Sequence, residues 1–193
     1  IFSVRNFDDR ERGGKAVTAI FSGAISCSKG CDKILEIAKK LPSLKVLMAG
    51  EIKSDMKDAF DSRPKNVNYL GALDNALLIK EMAKADFFLF PTVHPEGFPN
   101  SIVEAMAIGL PIISTNIGAI SEMVDDGKGG YLIDPGAISD FVVKTKEMMA
   151  SSEMRISMGA YNHDKAQNEY AYSKVVQQLV GLYKSTVLGV SEL

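Results

Sequence analysis

Two glutamates eight residues apart, Glu96 and Glu104, bracket a Gly-Phe-Pro-Asn turn in the stretch HPEGFPNSIVEAMAIGLP, residues 94–111. Two readings fit that spacing. In the first, Ser101 and Glu104 form a capping box: the serine caps the helix and the glutamate reaches back to the cap N–H. This explains Glu104 and leaves Glu96 without a role. In the second, both carboxylates serve a ligand. A carboxylate accepts hydrogen bonds from two neighbouring sugar hydroxyls, and the N–H groups of residues 97–101 at a helix start suit phosphate. Gly97 lets the backbone come close to a ligand, while Pro99 and Asn100 set the chain's turn into the helix. Carboxylate, amides, carboxylate is the layout that a nucleoside diphosphate sugar needs.

A second candidate is SGAISCSKG, residues 22–30, which leads into a helix beginning near Gly30. A helix start attracts phosphate, and Lys29 would add a full charge there. A surface lysine beside a helix start explains the same residues. The segment is neither a P-loop nor a G-x-G-x-x-G dinucleotide turn, which removes the best support for NAD binding. Cys27 and Cys31 are too few for a disulfide framework and have no partner pair for a metal. They read as incidental thiols of a reducing, cytoplasmic compartment. His94 and His163 have no ligand-like neighbours, and no D-x-D occurs, so no metal site is indicated.

The elements that must position these residues alternate along the chain. Short, continuously apolar runs at 16–23, 44–50, 67–71, 86–91, 110–115 and 130–134 read as buried strands. Helical spacing appears at 30–42, 54–61, 74–85, 100–109, 119–127, 137–150, 151–168 and 173–185, with Asp74 as a cap and Pro42 and Gly109 as stops. This predicts an α/β fold: a doubly wound, mostly parallel sheet of about six strands with helices on both faces. In such sheets ligands bind beyond the carboxyl ends of the strands, at the loops after Ser22, Ala49, Leu70, Phe90 and Thr115. Residues 1–15 read as a leading segment or linker, 16–185 as one Rossmann-like domain and 186–193 as a C-terminal tail.

The 193 residues are 46% hydrophobic and 24% charged with a net charge of −2, ordinary for a globular chain and unlike the basic balance of a nucleic-acid binder. No apolar run approaches the ~20 residues that span a bilayer. The first residue is Ile, which leads us to expect a piece of a longer chain.

The stretch EGFPNSIVEAMAIGLPII, with its E-x7-E spacing, resembles the donor-binding motif of retaining glycosyltransferases of the GT-B fold, the group 1 (family-four) class. The resemblance runs from about Ala16 to about Lys184. It includes FSGAISCSKGCDKILEIA (21–38), VNYLGAL (67–73), DFFLFP (86–91) and PIISTNIGAISEMVDDGKGGYLI (111–133). It implies that this is a C-terminal, donor-binding half, and that the acceptor-binding N-terminal half lies outside this chain. It implies that Glu104 binds the ribose hydroxyls and Glu96 the transferred sugar. Gly97, Phe98, Pro99, Asn100 and Ser101 would surround the sugar and diphosphate, with Pro99 contributing no N–H. Lys29 would hold the diphosphate as it leaves, so Glu96 and Lys29 are the catalytic candidates. Gly23 would open the diphosphate loop, Gly71 and Leu73 would meet the base, and Gly118 would line the far side. Transfer would need no cofactor and no metal, only the nucleotide sugar as donor substrate.

One departure bears on the chemistry: Ala24 stands where the family places an arginine. A donor to the developing charge is worth roughly 3–4 kcal/mol in comparable sites. Ala119, where a second glycine is common, is a smaller departure. The expected function is retaining transfer of a sugar to an acceptor hydroxyl, in polysaccharide or glycolipid synthesis. The location expected is cytoplasmic or membrane-peripheral, with attachment through the N-terminal half. A non-catalytic nucleotide-sugar-binding module is the alternative.

Overall fold

The computed structural model describes residues 16–188. Its six strands are β1 (Thr18–Ser22), β2 (Lys45–Ala49), β3 (Val67–Gly71), β4 (Phe87–Phe90), β5 (Ile112–Thr115) and β6 (Gly130–Ile133). They form one sheet in the order β3-β2-β1-β4-β5-β6, with every pairing parallel. The apolar runs explain why. Successive strand residues face opposite sides of a sheet, yet all four residues of β4, Phe-Phe-Leu-Phe, are buried. A strand covered on both faces belongs in the centre of an α/β layer. Burying each phenylalanine contributes about 1.5–3 kcal/mol. Phe21, Phe88 and Phe90 stack in series, with ring centres 5.9 and 5.8 Å apart, and so join β1 to β4.

The helices are α1 (Cys31–Lys40), α2 (Lys57–Asp61), α3 (Asn75–Met82), α4 (Asn100–Ile108), α5 (Ile120–Met123), α6 (Ile138–Ala150), α7 (Ser152–Lys165) and α8 (Tyr172–Leu188). In α1, Cys31, Ile34, Leu35, Ile37 and Ala38 bury the face that the periodicity marks. Asp74 caps α3 by accepting from the Leu77 N–H at 2.9 Å.

Three elements differ from expectation. The weak helix at 54–61 splits into a 3₁₀ turn, Ser54–Met56, followed by the single-turn α2. The helix expected over 119–127 stops at Met123, because Val124 is extended. Asp126 is then drawn into a turn, where its carboxylate accepts from Leu132 N–H at 2.9 Å. The helix expected over 151–168 is α-helical only to Lys165 and continues as a π-turn, Ala166–Tyr170. The leading segment 1–15 lies outside the described residues. α8 runs through residue 185 to Leu188, and the rest of the expected tail is also outside them.

β1 lies between β2 and β4, so the chain winds one way from β1 to β3 and the other way from β4 to β6. The loops after β1 and β4 therefore diverge and leave a crevice between them. The two loops touch at its floor. Gly30, before α1, has φ +71°, and a Cβ there would fall 1.8 Å from the Pro91 carbonyl oxygen. Gly30→Ala combines a left-handed backbone with a clash against main chain. It should cost roughly 3 kcal/mol, seen as a melting temperature lower by roughly 6–12 °C in a thermal scan.

Candidate functional site

The loop from β1 to α1 brings Lys29 to the crevice, and the loop from β4 to α4 brings Glu96. They meet there: Lys29 Nζ donates to Glu96 Oε1 at 2.5 Å, although the two are 67 residues apart. The loops hold this position through main chain. Ser28 O accepts from Val93 N–H at 3.0 Å and from His94 N–H at 3.2 Å. Lys29 also lies over the Phe90 ring, 5.9 Å from its centre. Thr92, fully buried, places its Oγ1 3.1 Å from the same Glu96 oxygen. Sequence reasoning did not single out Thr92. The available signal was a polar residue two positions after a buried strand, beyond its carboxyl end.

Gly118 reaches Glu96 from the loop after β5. Its φ is +60°, and a Cβ there would stand 2.4 Å from Glu96 O. Ala119, beside it, donates its N–H to Glu96 O at 2.9 Å. Gly118 therefore acts on the site by letting this backbone contact form.

The turn 97–101 is exposed at Gly97, Phe98 and Asn100, part-buried at Ser101 and buried at Pro99. The capping box does not form. The cap residue of α4 is Pro99, with no side-chain cap, and Ser101 lies inside the first turn, where its hydroxyl cannot act as the cap. In consequence the N–H groups of Gly97, Phe98, Asn100 and Ser101 have no protein acceptor among the described residues. Gly97 has open space on its Cβ side, with no atom within 4 Å. Phe98 packs edge-on against Tyr170 of the π-turn, with ring centres 5.7 Å apart.

Glu104 lies one turn further along α4 than Asn100, on the same face. It has no hydrogen bond or ion pair among the described residues, and burial pushes its carboxyl above the ordinary value.

The start of α1 behaves differently from the start of α4. The N–H groups of Lys29, Gly30 and Cys31 are taken up within their own loop, by Ser26 Oγ, Cys27 O and Ser26 O. The loop adds the Lys29 ammonium for an anion, and one step on, the N–H groups of Asp32 and Lys33 have no protein acceptor among the described residues. Ala24 is part-buried in the same loop, between Gly23 and Ile25.

Beyond β1, β2 and β3, a cavity of about 230 Å³ is lined by Ser22, Gly23, Ala49, Gly50, Ala72, Leu73 and Leu78. Gly71 adjoins it and accepts from Gly50 N–H at 2.8 Å. No charged side chain lines it, so it suits a flat, uncharged group read through main chain. Two roomier hollows, at the β6 and β3 edges of the sheet, hold none of the candidate catalytic or ligand-binding residues.

Residues 5–165 match the family described as glycosyl transferases group 1. The chain belongs to that family. It is 25% identical over 176 residues to the capsular polysaccharide biosynthesis glycosyltransferase CapM of Staphylococcus aureus, covering 86% of this chain and 45% of that protein. It spans about half the length of the curated relatives it matches, or less. Among solved structures, sucrose-phosphate synthase from Thermosynechococcus elongatus aligns with a TM-score of 0.82 at 17% identity, covering 98% of this chain and 50% of that one. HepE of Anabaena, in complex with UDP-glucose, aligns with a TM-score of 0.80 at 19% identity, covering 92% and 51%. At these identities the likeness establishes the fold: the six-stranded parallel sheet is the Rossmann-like half of a GT-B arrangement. Among the described residues, no helix is long and apolar enough to cross a membrane.

The unpaired, half-buried Glu104 generates a stability prediction. Burial disfavours its charged form, so above the carboxylate range Glu104 destabilises the fold, and once protonated it does not. Glu104→Gln should therefore raise the melting temperature at neutral pH. The gain should fade as pH falls through the carboxylate range, read by thermal scans from neutral to acidic buffer.

Proposed function

We propose that this chain is the C-terminal, donor-binding half of a retaining glycosyltransferase, which moves a sugar from a nucleoside diphosphate sugar to an acceptor hydroxyl. The observation that carries this reading is the meeting of Lys29 and Glu96 across the crevice, beside four unpaired N–H groups at the start of α4. In this reading Glu96 receives the hydroxyls of the donor sugar and orients its ring. Lys29 leaves Glu96 for the diphosphate and stabilises the charge that develops on it as the sugar departs. The free amides of Gly97, Phe98, Asn100 and Ser101 face the sugar and phosphates, and Glu104 accepts from the ribose hydroxyls. The base occupies the cavity beside Gly71 and Leu73.

No cofactor and no metal enter this scheme; the lack of D-x-D leaves the diphosphate to amides and Lys29. The acceptor is a growing polysaccharide or a glycolipid, a reading supported by relatives such as CapM and a phosphatidyl-myo-inositol mannosyltransferase of Mycobacterium leprae. An N-terminal half would bind that acceptor and provide any attachment to the cytoplasmic membrane surface.

Thermal unfolding against UDP, GDP, ADP and their sugar conjugates, with and without EDTA, tests the reading. A nucleotide at a hundred times its dissociation constant should add about 2.7 kcal/mol of stability. The expected result is a shift with one base, unchanged by EDTA and abolished in Glu104→Ala. No shift with any of them in a cooperatively folded sample would overturn donor binding by this chain.

One observation favours a second reading, a non-catalytic nucleotide-sugar-binding module: Ala24 leaves the β1–α1 loop without a guanidinium. Ala24→Arg should raise the affinity for a nucleoside diphosphate, measured by calorimetry. An unchanged affinity would mean that the diphosphate does not lie against this loop.

A further inference from the structure

We propose that Thr92 is the positioning residue for the sugar-binding carboxylate: its hydroxyl holds Glu96 in place when Lys29 turns to the diphosphate. The inference rests on the donor-binding reading and goes beyond it by assigning a residue to which neither the motif nor the resemblance gave a part.

The argument turns on one proton. Thr92 is fully buried, two residues beyond the end of β4. Its Oγ1 lies 3.1 Å from Ser28 O, 3.2 Å from His94 O and 3.1 Å from Glu96 Oε1. A threonine hydroxyl has one hydrogen to give and two lone pairs with which to accept. Ser28 O is already served by the N–H groups of Val93 and His94. An ionised carboxylate has no proton of its own, so its contact with Thr92 is a hydrogen bond only if the hydroxyl donates. Bonds of that kind, to a charged acceptor, are roughly twice as strong as neutral ones. The proton therefore goes to Glu96, and Oε1 receives two donors: the Lys29 ammonium at 2.5 Å and the Thr92 hydroxyl.

The two donors differ in mobility. Lys29 is a long, part-exposed side chain whose ammonium can swing to a phosphate oxygen. Thr92 is short, buried and fixed just beyond the end of a central strand, so it stays. Once Lys29 has moved, Thr92 is the donor that keeps the Glu96 carboxylate aimed at the sugar. The same hydroxyl also accepts from His94 N–H at 3.3 Å, which closes a local turn. A purely structural role would end there. It is separable, because that N–H also reaches Ser28 O at 3.2 Å and keeps an acceptor when the hydroxyl is removed.

The test is calorimetric, on the 193-residue chain. The probes are the pairs UDP-glucose and UDP, GDP-mannose and GDP, and ADP-glucose and ADP. The proteins are wild type, Thr92→Val, Thr92→Ser, Glu96→Ala and the double variant Thr92→Val/Glu96→Ala. For the pair that wild type binds, Thr92→Val should weaken the sugar nucleotide about tenfold, the factor that a hydrogen bond to a charged group converts to. The free nucleoside diphosphate should bind as before. Thr92→Ser, which keeps the hydroxyl, should restore the wild-type ratio. In the Glu96→Ala background Thr92→Val should change the ratio no further. Equal loss for both members of the pair would overturn the inference and leave a structural threonine. An unchanged ratio would overturn it while the donor-binding reading stands. If wild type binds no pair, the donor-binding reading falls and this inference falls with it.

Discussion

The carbonyl oxygen of Pro91 fills the space in which a side chain at position 30 would begin. That approach fixes the β4–α4 loop against the β1–α1 loop, and the contacts across the crevice follow from it. Ser28 O can then accept from Val93 and His94, which puts Lys29 within reach of Glu96. A shift of about an ångström at this floor would stretch those hydrogen bonds beyond their useful range. The floor is firm because β1 and β4 are neighbours in the centre of the sheet, with Phe21, Phe88 and Phe90 packed beneath it. Close-packed interiors of this kind transmit strain instead of absorbing it.

The two carboxylates that bracket the turn have come to opposite states. Glu96 is held by an ammonium and a hydroxyl, whereas Glu104 faces no partner among the described residues. The Lys29–Glu96 pair is part-exposed, with Lys29 at 28% and Glu96 at 12%. Ion pairs that retain access to water contribute little net stability. Such a pair keeps both side chains ordered and still yields to a ligand that offers each a better partner. Glu104 carries the complementary cost: an acceptor kept desolvated without a donor favours whatever brings hydroxyls to it.

The order of strands and helices was legible in the sequence because β4 and its neighbours are apolar without alternation, and so were the five loops beyond the strands' carboxyl ends; which two flank the crevice depends on the strand order, which the sequence does not show. Lys29, Glu96 and Gly118 were legible as a set, and the structure brings them to one point. Of the two readings of the Glu96–Glu104 stretch, the capping box fails for a local reason. Ser101 has the right type and the right distance from Glu104, but Pro99 takes the cap position, so the helix starts before the serine. Cap identity depends on backbone angles at two residues, which residue type alone does not fix. Thr92 carried only the weak signal of a polar residue shortly after a buried strand. A lone threonine after a proline has no periodicity, and its meaning comes from Ser28, 64 residues away. The phosphate reading of the helix start near Gly30 is narrowed, because the left-handed turn there lets Ser26 and Cys27 claim the N–H groups of Lys29, Gly30 and Cys31.

That last difference divides the labour between the two loops. A helix start binds anions only with N–H groups that its own loop has not used. At α1 the loop consumes the N–H groups of Lys29, Gly30 and Cys31 and leaves those of Asp32 and Lys33 without a protein acceptor among the described residues, and Ala24 supplies no charge, so the loop itself adds a single ammonium. At α4 a proline cap leaves the amides of Gly97, Phe98, Asn100 and Ser101 unclaimed, and the turn is braced from outside by Gly118 on Glu96 and by Tyr170 on Phe98. The unclaimed donors and acceptors therefore concentrate on the β4–α4 loop and the start of α4. This loop and the start of α4 carry both carboxylates and these free amides, and their geometry is set by residues from the loops after β1 and β5 and from the π-turn before α8. A change at any of those distant braces would act on the same few donors and acceptors, which ties their geometry to packing well outside the crevice.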